Sequence, residues 1–325
     1  MCDKNSTKRD ENEKNNPLFW PLSKKEAQHR IKLEQVELLR PPFTIFALQK
    51  KKQTPMKAMI FAAGLGTRLK PLTDTLPKAL VPVCGKPLIE HVARKLQAAG
   101  IDEAVVNIHY FADKIEAWAQ EQPWITNRKE EAGEGKMLFE ISDERAQLLE
   151  TGGAVLHARR YLQGCGQFII HNVDILSNCN IAWLQSQAKE DAIATLLVSD
   201  RKTTRFLLFD PATMQLVGWM NTDTGDYHVT SPEIVPAECR ALAFSGIHIL
   251  SDKVLGLMEQ YVKEKQLPID EENGTRFPIM SFYMWAAARY PIHGAVASNL
   301  EFIDVGKLDA LKPAEEFVQR SSEVK

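Results

Sequence analysis

The chain has 325 residues, a formal net charge of -2 and 44% hydrophobic residues; that length suits one large α/β domain or two small ones, and the balanced charge offers no electrostatic footprint for nucleic acid. No apolar run reaches the ~18 residues of a membrane span, and the stretch 43–48 is too short for one and lacks the small-residue cleavage site of a secretory signal. Cys2, Cys84, Cys165, Cys179 and Cys239 are scattered without a Cys-x-x-Cys pair, which argues against a disulfide framework or zinc site and for a reduced, cytoplasmic setting.

Residues 1–55 differ from the rest. Positions 1–16 are nearly all Lys, Asn, Asp, Glu, Ser and Thr, which cannot bury a core. Positions 23–39 offer one amphipathic helix, with Ile31, Leu33, Val36 and Leu39 partly in register, before Pro41-Pro42 breaks it. The segment is expected to be a poorly ordered or non-core extension, with a docking arm as the alternative; 56–325 is expected to be the functional domain.

The first core strand is the apolar run 56–61. It ends in Ala62-Ala63-Gly64-Leu65-Gly66-Thr67-Arg68-Leu69, with Pro77-Lys78 close behind. A strand ending in a small-residue loop is where α/β proteins hold phosphates. Gly64 and Gly66 can take backbone angles closed to other residues and aim N–H groups at an anion. Arg68 brings a bidentate clamp and Lys78 a compact point charge to the same mouth. A P-loop is excluded, because no Gly-Lys-Ser/Thr follows, and so is a dinucleotide fingerprint, whose third glycine is replaced by Leu69.

Downstream, a helix is expected from 87 to the glycine cap at Gly100, then a strand at 104–108, a helix at 113–120 and a strand at 137–142. Glu150-Thr151-Gly152-Gly153 reads as a second small-residue loop before a helix at 154–161. It is either a plain helix start or a backbone surface flat enough for a ring. Strand 168–171 leads to Asn172-Val173-Asp174 at its carboxyl end, where Asp174 is either a turn former or a metal ligand. A helix at 181–189 and a strand at 193–198 follow. Strands 205–209 and 215–220 flank a type I turn at Asp210-Pro211-Ala212-Thr213. Phe244-Ser245-Gly246-Ile247 lies in a strand at 241–250, where the glycine marks either a bulge or a close approach. Helices at 251–262 and 277–289, a strand at 300–305 ending in Asp304-Val305-Gly306, and a helix at 308–319 complete the chain. The alternation predicts an α/β, Rossmann-like fold with a mainly parallel central sheet and helices on both faces.

The ungapped pattern Gly-x-Gly-Thr-Arg-Leu-x-Pro-Leu-Thr, followed by Pro-Lys, resembles the signature of the sugar-1-phosphate nucleotidyltransferases, or NDP-sugar pyrophosphorylases. The resemblance runs from about Met56 to about Lys312. Motif order and length look closest to the N-acetylmuramate-1-phosphate uridylyltransferases, with mannose- and heptose-1-phosphate guanylyltransferases also similar. The resemblance implies the nucleotide-diphospho-sugar transferase fold and attack of a sugar-1-phosphate oxygen on the α-phosphorus of UTP or GTP, assisted by Mg2+, with pyrophosphate leaving. It implies nucleotide binding by Ala62, Ala63, Gly64, Gly66, Thr67, Arg68, Asn107, Glu150, Thr151, Gly152 and Gly153, with Arg68 and Lys78 catalytic. It places the sugar at Asn172, Ser245 and Gly246 and the metal on Asp174 and Asp304. The expected partners are these small molecules, with no nucleic acid and no membrane, in a monomer or small homo-oligomer. Trp219-Met220-Asn221 stands where many relatives carry Glu-Lys-Pro, whose Lys grips the sugar phosphate; Lys78 is then the remaining anchor. Alternatives are a non-catalytic nucleotide-sugar-binding regulatory protein on the same scaffold and a plain Rossmann-like binding module.

Overall fold

A computed structural model of the chain describes residues 56–133, 135–270 and 272–323; the expectations for 1–55 lie outside the described residues. The strands are β1 (Lys57–Phe61), β2 (Pro82–Val83), β3 (Lys86–Pro87), β4 (Glu103–Ile108), β5 (Ile125–Thr126), β6 (Met137–Asp143), β7 (Gln167–Asn172), β8 (Ile175–Ser177), β9 (Ala194–Ser199), β10 (Arg205–Phe209), β11 (Leu216–Asn221), β12 (Tyr227–Val229), β13 (Arg240–Ser251), β14 (Ile292–Val296) and β15 (Phe302–Asp304). The helices are α1 (Leu88–Ala98), α2 (Ala112–Glu121), α3 (Glu150–His157), α4 (Arg159–Leu162), α5 (Ile181–Gln187), α6 (Val254–Glu264), α7 (Ile279–Ala287) and α8 (Leu311–Glu323).

Among the described residues one large sheet runs β12-β11-β10-β13-β7-β1-β4-β6-β5, with β9 paired to β13 and β14 to β9. β1 lies at its centre. Ala58 and Ile60 enter the core of one face, made with α1, α2, α5 and α8; Met59 enters that of the other, made with α3, α4, α6 and α7. A strand buried on both faces reads as a continuous apolar run rather than an alternation, which is how β1 reads. From β5 to β7 the strands are parallel. Beyond β7 the sheet turns antiparallel through β13, β10, β11 and β12. The short links between β10, β11 and β12 cannot carry a crossover, so these strands must reverse.

β13 belongs to both halves. Its end, Ile247–Ser251, pairs with β7, and its start, Arg240–Leu242, pairs with β10. Between them Gly246 is left-handed (φ 68), and the register with β9 shifts between Phe244 and His248. The glycine is thus a bend in the strand.

Three local expectations are corrected. Helix α3 starts at Glu150 rather than after Gly153. The turn after β10 closes between Met214 N–H and Asp210 O (2.9 Å), one residue wider than a type I turn. Helix α7 starts at Ile279, after an extended Pro278.

Candidate active site

Three adjacent parallel strands end level. Phe61 at the end of β1 lies opposite Asn107 of β4 on one side and Asn172 of β7 on the other. The loops that leave them enclose a cavity of about 400 Å3, lined by Ala63, Gly64, Lys78, Asn107, Glu150, Thr151, Asn172 and Asp174 among others. This is the carboxyl edge, where open α/β sheets bind ligands.

The two glycines of the first loop serve different ends. Gly66 is left-handed (φ 63), and a Cβ there would lie 2.8 Å from Thr73 Cγ2 and 3.1 Å from Lys78 Cβ. Thr73 Oγ1 also donates to Gly66 O (2.8 Å). Gly66 therefore lets the loop close onto the segment that carries Lys78. Gly64 lines the cavity without a left-handed angle, and a Cβ there would meet no protein atom within 4 Å. The sequence expectation of a special backbone angle is corrected for Gly64; its smallness faces the cavity instead. Ala62 is buried behind it, and Thr67 and Arg68 form an exposed helical turn.

Lys78 is nearly buried, and its Nζ contacts Asp174 Oδ2 directly. The ladder between β8 and β15 sets Asp304 opposite Ile175, and Val305 N–H donates to Asp174 O (2.8 Å). Two carboxylates far apart in the chain thus meet. Burial and then the neighbouring Asp174 charge push the Asp304 carboxyl up, against Lys78, Arg68 and Arg201, which pull it down. A Cβ at Gly306 would lie 2.7 Å from Asp304 Oδ1 and 2.8 Å from Arg68 Nη2, so carboxylate and guanidinium both pack over that glycine. Arg68, Lys78, Asp174 and Asp304 are therefore brought together. Among the described residues no group of three or more His, Cys, Asp or Glu forms a complete metal cage. The pair of carboxylates is instead a donor set of the kind that suits magnesium, which is held by one or two carboxylates plus substrate phosphates.

The second loop differs from its sequence reading. Gly152 and Gly153 N–H groups both donate to Phe277 O (2.9 and 3.1 Å). A Cβ at Gly152 would sit 2.4 Å from the Phe277 ring, and one at Gly153 2.1 Å from Thr275 O. These glycines let α3 pack against residues 275–277, and neither presents a face to a ring. Glu150 and Thr151 do line the cavity. Glu150, left-handed at φ 61, is held by Arg276 Nε (2.9 Å) and Nη2 (2.8 Å), and Thr151 Oγ1 accepts from Ile279 N–H (2.9 Å). Asn107 reaches the cavity wall with its amide engaged: Oδ1 accepts from Ala62 N–H (2.8 Å) and Nδ2 donates to Glu144 Oε1 (2.9 Å).

Of the expected sugar residues, Asn172 lines the cavity and packs on Gly246, where a Cβ would lie 2.8 Å from its Nδ2. Ser245 is fully buried and lines neither this cavity nor the next, which corrects its assignment to the sugar. The second cavity, about 770 Å3, lies on the antiparallel half and is lined by Arg201, Arg205, Phe206, Trp219, Met220, Asn221, Phe244, Met280 and Met284 among others. Pro278 lines the first cavity and Met280 the second, so the residues on either side of Ile279, where α7 starts, border different cavities. Arg201 Nη2 donates to Phe244 O (2.9 Å), and its guanidinium lies 4.5 Å from the centre of the Phe302 ring.

Three residues that sequence reasoning missed line or support the cavities: Arg201 lines the second, Arg276 holds Glu150 and Glu144 holds Asn107. Glu144 is 2% exposed, and burial pushes its carboxyl up to about 7 despite hydrogen bonds from Asn107 and Leu149. The available signal was an acidic pair, Asp143-Glu144, straddling the end of β6.

Residues 57–209 match the family model described as nucleotidyl transferase. The chain is 38% identical over 209 residues to the N-acetylmuramate alpha-1-phosphate uridylyltransferase of Caulobacter vibrioides, covering 62% of this chain and 78% of that one. It is 36% identical over 125 residues to mannose-1-phosphate guanylyltransferase 1 of Arabidopsis thaliana, covering 38% and 32%. A solved UDP-glucose pyrophosphorylase from Acinetobacter baumanii shares the fold, with a TM-score of 0.58 at 19% identity over 83% of this chain and 99% of that one. With the converging Arg68, Lys78, Asp174 and Asp304, these likenesses give one conclusion: the chain belongs to the sugar-1-phosphate nucleotidyltransferase family and is a nucleotidyltransferase enzyme.

Proposed function

We propose that the enzyme transfers a uridylyl group from UTP to N-acetylmuramate-1-phosphate, releasing pyrophosphate. The observation that carries the reaction type is the meeting of Lys78, Asp174, Asp304 and Arg68 at the edge of the cavity behind β1. The relative from Caulobacter supports the choice of substrates. The sugar-phosphate oxygen is already ionised, so no general base is needed, and catalysis rests on positioning and electrostatics.

In this reading the backbone of residues 62–68 cradles the triphosphate, and Arg68 stands where pyrophosphate departs. Lys78, fixed between the Gly66 turn and Asp174, neutralises charge where the two polyanions approach. Asp174 and Asp304 would hold magnesium, which when bound supplies charge neutralisation to the phosphate oxygens. The sugar extends toward the second cavity, whose aromatic and Met walls suit an acceptor with an apolar substituent and whose Arg201 and Arg205 suit an acidic one.

One observation favours guanine as the alternative base. The Glu150 carboxylate borders the nucleotide cavity, and guanine offers a carboxylate two adjacent donors where uracil offers one. Pyrophosphate release tests both readings, measured across UTP, GTP, CTP and dTTP with a panel of sugar-1-phosphates, with and without EDTA. Release with UTP and N-acetylmuramate-1-phosphate, lost in Asp174→Asn and in EDTA, is the expected result. A stronger response to GTP with mannose-1-phosphate would replace the uridylyl reading.

A further inference from the structure

The roots of the two loops at the nucleotide cavity are joined by a buried chain of hydrogen bonds. Ala62, the first residue after β1, donates its N–H to Asn107 Oδ1 (2.8 Å). Asn107 Nδ2 donates to Glu144 Oε1 (2.9 Å), and Glu144 Oε2 accepts from the N–H of Leu149, the residue before Glu150 (3.2 Å). Glu144 is itself pinned through its backbone, N–H to Ile108 O (2.8 Å) and O to His109 Nδ1 (2.6 Å). Only Asn107 of this chain borders the cavity.

A buried carboxylate is costly unless its oxygens are occupied, and here both are, by donors that belong to or control different loops. The side chain thus acts as a strut of fixed length. Shortening it, or turning one acceptor into a donor, changes the distance between residues 62–68 and residues 148–151. We infer that Glu144 is a positioning residue that sets the gap between the two loops, and through it nucleotide affinity, by way of Asn107 and Leu149. The inference rests on the reading that both loops hold the nucleotide.

The polarity of the strut provides its own test. Glu144→Gln turns an amide NH2 toward either the Asn107 NH2 or the Leu149 N–H, so two donors face each other. Asn107→Asp sets a second carboxylate against Glu144. The double variant Asn107→Asp/Glu144→Gln reverses one bond and satisfies every group again. The new aspartate accepts from Ala62 N–H and from the new glutamine NH2, whose carbonyl accepts from Leu149 N–H.

The experiment is calorimetric titration of the full chain with UTP and with GTP in magnesium at about pH 8, where Glu144 is ionised and both its oxygens accept, which yields stoichiometry and Kd separately. Each single variant should raise the Kd of the better nucleotide roughly tenfold at unchanged stoichiometry, and the double variant should return it to within about threefold of wild type. A role in folding alone would lower stoichiometry and leave Kd unchanged, and that result overturns the inference. So does a double variant as weak as the singles. Should the single variants fail to fold, the double variant against wild type decides alone, and a roughly tenfold loss there overturns the inference. Arg68→Ala separates the two layers. If it leaves Kd unchanged, the nucleotide-loop reading fails; if it weakens binding while Glu144→Gln does not, only the strut fails.

Discussion

The parallel and antiparallel halves of the sheet build their cavities by different means. On the parallel side the wall is backbone, small residues and buried polar ties: Ala63, Gly64, the Gly66 turn and the engaged amide of Asn107. On the antiparallel side it is the volume of large side chains, Phe206, Trp219, Met220, Phe244, Met280 and Met284, around a space nearly twice as large. A wall made of backbone admits few residue types at each position. A wall made of side-chain volume can be filled in many ways. The first therefore suits a task with fixed geometry, holding phosphates, and the second a task that differs from one acceptor to another.

The comparison can be broken at several points. The largest effect is expected at the charged centre: Asp174→Asn or Lys78→Ala should lower turnover at least about a hundredfold while circular dichroism shows the fold intact. Near-normal pyrophosphate release in either would remove the charged centre from the mechanism. Next, Gly153→Ala places a methyl group 2.1 Å from Thr275 O and should cost about 1–3 kcal/mol in urea denaturation. Gly64→Ala meets no protein atom, so it should leave stability unchanged and weaken nucleotide binding instead. Equal destabilisation by both would erase the distinction between a packing glycine and a ligand-facing one.

On the other half, Trp219→Ala should raise the KM for the acceptor by about tenfold, the worth of a lost aromatic contact, and leave the KM for the nucleotide unmoved. A change in the nucleotide KM alone would show that the second cavity is not the acceptor's.

The smallest effect concerns pH. Folding raises the Glu144 carboxyl from 4.5 to about 7, so between those values the folded chain holds a proton that the unfolded chain has lost. Its contribution to stability is greatest below about pH 4.5, declines as pH rises and levels off above about 7. Glu144→Gln removes that slope. Comparing urea midpoints of the two proteins at about pH 5 and about pH 8 checks the sign, and an identical pH dependence would refute it.

Much of the parallel half was legible in the sequence. The stretch 58–61 is a continuous apolar run, its loop a contiguous pattern, and Arg68 and Lys78 lie within reach of it along the chain. Asp304 was legible only through family resemblance, since nothing local to residue 304 points to residue 174 and the β8–β15 ladder that joins them is three residues long. Gly152 and Gly153 misled because a glycine that faces a neighbouring backbone and one that faces a ligand look the same in sequence. Ser245 misled similarly: its place beside Gly246 suggested access, whereas the bend leaves it fully buried. Glu144 escaped because a charged residue after a strand reads as exposed, and only the three-dimensional meeting of Asn107 and Leu149 N–H makes its burial tolerable.

The long strand β13 has a consequence for how the chain is made. β7 is the inner wall of the parallel half, and its outer edge is covered by Ile247–Ser251 of β13. Until those residues leave the ribosome, β7 presents an unpaired, apolar edge of the kind that recruits foreign strands. The loop behind β1, synthesised first, thus waits for a late segment before its half-sheet is closed. Chains halted before residue 247 are expected to aggregate or depend on chaperones more than chains long enough to include residue 251 and the core helices that follow it.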